Sequence, residues 1–143
     1  MIKAIFFDFD GVLVDSEKLH SDITIDYLHR TNMPIPDYEA YGVIGGNPKM
    51  NYWESVYERY KDVMPCTYDE LITGIRDAHK CLKEYDYSKI MFKDVPETLR
   101  TLKDKGYLLA LASSSAMDYL LKNLNSCGID DIFDFIISGR DIT

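Results

Sequence analysis

Cysteine is scarce in this chain. Cys66, Cys81 and Cys127 are odd in number, far apart and without a Cys-x-x-Cys pair. That pattern supports neither a disulfide framework nor a zinc site. His20, His29 and His79 show no ligand spacing either. No apolar run reaches the length needed to cross a bilayer, and the N-terminus enters an apolar segment directly. The expectation is a soluble cytoplasmic protein with no membrane partner. Basic residues are the minority, 16 Lys and Arg against 24 Asp and Glu, for a formal net charge of −8. Such a surface argues against sequence-independent binding to nucleic acid or to an anionic membrane. Internal repeats and low-complexity tracts are lacking as well.

What remains is 143 residues, 46% of them apolar. That is enough for the core of an ordinary globular domain. The chain is organised around Ile5-Phe6-Phe7-Asp8-Phe9-Asp10-Gly11-Val12-Leu13-Val14-Asp15-Ser16. The apolar run Ala4 to Phe7 reads as a buried strand. It ends in two carboxylates, a glycine and a third acid. Asp8 and Asp10 are two residues apart, so on an extended backbone they point to the same side. Like charges placed together need a cation or a shared proton. Gly11 permits a sharp exit. In open α/β sheets, ligands bind outside the carboxyl ends of the strands. The stretch therefore reads as strand, acids, turn.

From Ser16 to about Asn32 the apolar spacing is helical, with Asp15 or Ser16 as cap. Pro34 and Pro36 break it, and Asp37 to Tyr41 begins a short helix. Gly42 to Pro48 is a glycine-rich loop. Helices are predicted from Lys49 to about Met64 and, capped by Thr67, from Tyr68 to about Glu84. Residues 15–87 thus form an all-helical insert rich in tyrosine. An α/β pattern then resumes: a helix from Val95 to about Lys105, a strand from Tyr107 to Ala112, a helix from about Ala116 to Ser126, and a strand from Phe133 to Ser138. Alternation of this kind predicts a parallel sheet with right-handed crossovers.

Asp-x-Asp-Gly-x-Leu-x-Asp-Ser after an apolar strand, continuing into Glu17-Lys18-Leu19-His20, resembles the first motif of the haloacid-dehalogenase-like phosphohydrolases. The likeness is to the β-phosphoglucomutase-like and small-phosphatase branch with a helical cap. It implies an α/β fold: a partial Rossmann-like parallel sheet, strands 1-2-3 of a 5-4-1-2-3 order, with the cap inserted. The core would be residues 1–14 and 88–143, and the cap residues 15–87. By the same resemblance, Asp8 is the nucleophile that becomes an aspartyl phosphate, and Asp10 is the general acid and base. The Asp8 carboxylate and the Asp10 carbonyl would bind Mg²⁺, a cation that prefers hard oxygen ligands. The dehalogenase branch does not carry an acid at the Asp10 position, so Asp10 favours phosphoryl chemistry.

Ser113, at the end of the second apolar strand, resembles the family's second motif, in which a hydroxyl and the next backbone N–H, here that of Ser114, hold the phosphoryl group. By itself Ser113-Ser114-Ser115 reads as a helix cap. Lys49 stands three residues after Gly46, where the mutase branch has a basic residue that reaches the substrate. It reads equally as a solvated lysine at a helix start. His20 matches the extension of the first motif, and reads equally as a partly exposed structural histidine. The lysine after the third strand and the acids of a fourth strand, both expected in this family, do not occur in the 143 residues.

The implied function is Mg²⁺-dependent hydrolysis of a small phosphorylated metabolite. A sugar phosphomutase, or an inactive truncated or binding module, are the alternatives. Without strands four and five, strand one would be an edge. It would then recruit a second copy as a homodimer or exchange a segment with it.

Overall fold

The computed structural model describes residues 3–42 and 52–141. The chain divides into two compact units, Met1–Ser16 with Asp86–Thr143, and Glu17–Tyr85.

The first unit is built on three strands: β1 (Ala4–Phe7), β2 (Leu108–Ser113) and β3 (Phe135–Ser138). Among the described residues the sheet order is β1-β2-β3, all parallel. The register pairs Phe6 with Ala110, and Ala110 with Phe135. An α/β crossover links the last two strands, as parallel pairing requires. Burial alternates along β1 and β3. Phe6 is 65% exposed and Phe135 58%, while Leu109 and Leu111 are fully buried. The sequence predicts β1 as a buried strand, and here the structure differs: none of Ala4 to Phe7 is fully buried. The reason is topological. Among the described residues, strand β1 has a sheet neighbour on one side only, and its Phe6 face is left uncovered.

Labelled in chain order, the helices are α1 (Ser16–Arg30), α2 (Tyr38–Tyr41), α3 (Tyr52–Tyr60), α4 (Tyr68–Ala78), α5 (Val95–Asp104) and α6 (Met117–Cys127). Helix α5 has proline in its first turn, where the missing N–H costs nothing. Helix α6 stops at Gly128, which takes φ 66°, a left-handed cap that a side chain would strain. Asp134 ties β3 to β2: its carboxylate accepts from Leu109 N at 2.8 Å and from Lys103 Nζ at 2.6 Å. The Lys103 ammonium, then the Leu109 N–H, hold the Asp134 carboxyl below its usual range.

The second unit packs its helices around Leu28, Ile35, Val56, Leu71 and Ile75, with Tyr27, Trp53 and Tyr57 against them. Thr67 and Glu70 form a reciprocal capping box at the start of α4. The predicted helix from Tyr68 to Glu84 is α-helical only to Ala78 and continues as a 3-10 turn, His79–Glu84. Likewise Tyr60 ends α3, with a 3-10 turn over Lys61–Val63 before Pro65. Glu39 is buried, and its carboxylate meets the Tyr52 hydroxyl at 2.8 Å and Arg59 Nη2 at 2.6 Å. No described helix is long and apolar enough to cross a membrane.

Candidate active site

Strand β1 stops at Phe7, and the chain then winds into a tight turn. The Phe9 carbonyl accepts from Leu13 N at 2.9 Å, and Gly11 N donates to the Val14 carbonyl at 2.9 Å. Gly11 takes φ 74°, a conformation that glycine adopts without strain. Phe9 is fully buried against the rings of Tyr87 and Tyr119, at centroid distances of 6.3 and 6.0 Å. The apolar residue between the two acids thus anchors the turn. Asp8 lies exposed and Asp10 half-buried on either side of it. The Asp8 carboxylate accepts from Phe9 N at 2.7 Å.

Asp10 reaches the end of the second strand. Its Oδ2 accepts from the Ser115 hydroxyl at 2.9 Å, and its Oδ1 from the Tyr119 hydroxyl at 3.1 Å. Ser113, the last residue of β2, is buried, and its Oγ accepts from Ser115 N at 3.2 Å. The end of β3 closes the group. Gly139 N donates to the Ser113 carbonyl at 2.7 Å, and Ser138 Oγ donates to the Ser115 carbonyl at 2.8 Å. A Cβ on Gly139 would come within 3.3 Å of Ser114 Cα, so the close approach of the two strand ends favours glycine.

Of the sequence-predicted residues, the structure brings Asp10 and Ser113 together, joined through Ser115. Asp8 stands two residues before Asp10 on the same turn, and exposed Ser114 lies beside Ser113. The three serines do not cap α6: Ala116 holds the cap position without a side-chain bond. His20 lies in the helical unit, its ring 5.2 Å from that of His79. Lys49 lies outside the described residues.

Ser115, Tyr119 and Ser138 were not singled out from the sequence as site residues. For Tyr119 a signal exists: it shares helical spacing with Leu120, Asn123 and Leu124, the inward stripe of α6. Burial first, then the Tyr87 hydroxyl and the Asp10 charge, push the Tyr119 phenol well above its usual value.

Among the described residues no group of three or more His, Cys, Asp and Glu gathers as a metal cluster. The oxygen donors at the end of β1 are the Asp8 carboxylate and the Asp10 main-chain carbonyl. Both are hard ligands of the kind Mg²⁺ takes, commonly with water completing its shell. The donor chemistry fits that ion.

Paired acids beyond the first strand of a parallel sheet, near a serine-rich end of the second, define an α/β protein with a candidate site at the carboxyl ends of its strands. A family model for haloacid dehalogenase-like hydrolases matches residues 5–143, and the chain belongs to that family. The pyrophosphatase PpaX of Bacillus cereus strain Q1 is 25% identical over 142 residues, covering 99% of this chain and 61% of its own length. PpaX of Bacillus velezensis is 28% identical over 144 residues, again with 61% of its length covered. Among solved structures, a family hydrolase from Deinococcus radiodurans with bound phosphate and sodium superposes with a TM-score of 0.70 at 22% identity, over 97% of this chain and 58% of that one. A β-phosphoglucomutase from Clostridium difficile gives 0.61 at 22% identity, over 100% and 64%. The chain spans about three-fifths of the length of these curated relatives.

Proposed function

We propose that this chain supplies the nucleophile, the acid and the phosphate-holding hydroxyl of a Mg²⁺-dependent phosphohydrolase acting on a small phosphorylated metabolite. The observation that carries the reading is the Asp10–Ser115–Ser113 connection, which joins the two sequence motifs at adjacent strand ends. In this reading an Asp8 oxygen attacks phosphorus and the bond to the leaving oxygen breaks. Asp10 gives that oxygen its proton. Water then attacks the aspartyl phosphate, Asp10 takes the proton back, and phosphate leaves with Asp8 regenerated. Ser113 and the Ser114 N–H hold the phosphoryl oxygens. The Asp8 carboxylate and the Asp10 carbonyl would hold Mg²⁺, which would supply neutralising charge for an anionic substrate beside a carboxylate.

The helical unit Glu17–Tyr85 is the cap in this reading, with His20 and Lys49 as its candidate substrate residues. Pyrophosphate is the first substrate to test, because the curated relatives are pyrophosphatases by name. In the same reading the outer edge of β1 takes up a second copy of the chain or exchanges a segment with it.

The test is release of phosphate from pyrophosphate and from an aryl phosphate, with and without Mg²⁺, by the wild type and by Asp8→Asn. Mg²⁺-dependent release that Asp8→Asn abolishes supports the reading, since an amide is no nucleophile. A silent wild type, or an Asp8→Asn protein that keeps the rate, overturns it.

A further inference from the structure

Both oxygens of the Asp10 carboxylate are engaged by hydroxyls, those of Ser115, just before α6, and of Tyr119, in its first turn. One bond would leave the carboxylate free to swivel about it. Two bonds, to Oδ1 and Oδ2, fix the plane. We propose that Ser115 and Tyr119 are positioning residues that clamp the Asp10 carboxylate in the orientation from which it exchanges protons with substrate. This rests on the role given to Asp10 above.

Each donor is itself held. Ser115 is pinned at both ends of its main chain, its N–H on Ser113 Oγ at 3.2 Å and its carbonyl on the Ser138 hydroxyl at 2.8 Å. Tyr119 stands in the first turn of α6, where its ring packs edge-on to two others. Phe9 lies at 6.0 Å and 90°, and Tyr87 at 5.5 Å and 86°. Contacts of that geometry restrict the ring beyond simple burial. Phe9 is the residue between the two acids. The cluster that anchors the backbone of the acid pair therefore also aims the hydroxyl that holds Asp10.

A carboxylate oxygen accepts more than one hydrogen bond. With one site on each oxygen occupied by the clamp, the remaining sites are aimed, not random. Proton transfer depends steeply on such aim, because the reacting groups must meet within hydrogen-bond reach. A tyrosine and a serine suit this task. Neither carries charge at working pH, so they orient the acid without adding an ion pair to it.

The test uses Tyr119→Phe, which keeps the ring and its edge contacts and removes only the hydroxyl, together with Ser115→Ala and Ser115→Thr. Two measurements are made on the whole chain. The first is a double-mutant cycle in urea between Tyr119→Phe and Asp10→Ala, expected to show a coupling of about fivefold or more in the folding equilibrium constant. The second is turnover, in which Tyr119→Phe is expected to lower kcat by roughly tenfold while KM moves less than about twofold. Ser115→Ala should do the same, and Ser115→Thr, which restores the hydroxyl, should recover most of the loss. Additive stabilities overturn the clamp. Coupling with an unmoved kcat also overturns it, since the bond is then structural only. Should the wild type hydrolyse no phosphate ester, the phosphohydrolase reading fails, and the coupling alone decides whether Asp10 is clamped.

Discussion

The Ser138 hydroxyl donates to the main-chain carbonyl of Ser115 at 2.8 Å, tying the end of the third strand to the loop that holds Asp10. Ser138 is 1% exposed and its oxygen also accepts from Arg140 N at 3.2 Å. Ser138→Ala removes both partners at once and leaves polar groups without them. The expected cost is about 1–3 kcal/mol. Urea unfolding checks it, and a loss below about 0.5 kcal/mol would mean that water replaces the hydroxyl without penalty.

Gly74 lies within α4, where alanine is ordinarily better by about 1 kcal/mol. Here the order is reversed by packing. A Cβ on Gly74 would collide with the Tyr27 hydroxyl oxygen, so the ring must move. Gly74→Ala is expected to destabilise the protein by about 1–3 kcal/mol, against helix propensity. Adding Tyr27→Phe should return part of the loss. Thermal unfolding of the wild type and the two variants reads this directly, and a Gly74→Ala protein of raised Tm would show that helix propensity wins.

Glu39 is expected to contribute to acid sensitivity in the helical unit. Burial raises its carboxyl, but the hydrogen bonds from Arg59 and Tyr52 outweigh burial and leave it below the usual value. Its folded-state pKa is thus lower than its unfolded one. The stability it contributes is present above the unfolded value and lost as pH falls through the folded one. Glu39→Gln should cost about 1–3 kcal/mol at neutral pH. The variant should also lose less than the wild type on acidification from about pH 5 to about pH 3. Parallel acid-unfolding curves would assign the acid sensitivity to other carboxylates. Glu39 also acts on its neighbour: burial, then the Glu39 carboxylate, push the Tyr52 phenol up to about 12.

The uncovered face around β1 should make the 143-residue chain associate. Phe6, Phe135 and Leu108 are 65%, 58% and 47% exposed, and among the described residues β1 has one sheet neighbour. Light scattering is expected to rise with concentration, and Phe6→Lys to reduce it. A monomer over a wide concentration range, with β1 amides protected from hydrogen exchange, would show that the edge is covered within the chain.

Much of the fold was legible in the sequence because its signals are local. The run Ala4 to Phe7, the helix ends near Lys105 and Ser126, and the cap at Thr67 each depend on a few neighbouring residues, and each matches an observed boundary to within a residue. The motif Asp8-x-Asp10-Gly11 stands out as a candidate site for the same reason. Pairing a strand with its neighbour, or an acid with its donor, depends on residues far apart. Ser115 and Tyr119 reach Asp10 across 105 and 109 positions. Spacing alone does not separate a serine that caps α6 from one that binds a carboxylate. Nor does it show that Tyr119 faces the turn after β1 and not solvent. By itself, then, the sequence determined most of the elements, their order and the pair of candidate acids. Tertiary structure decided which hydroxyls hold Asp10, and that the Phe6 face stays open, because both follow from which strands and helices lie side by side.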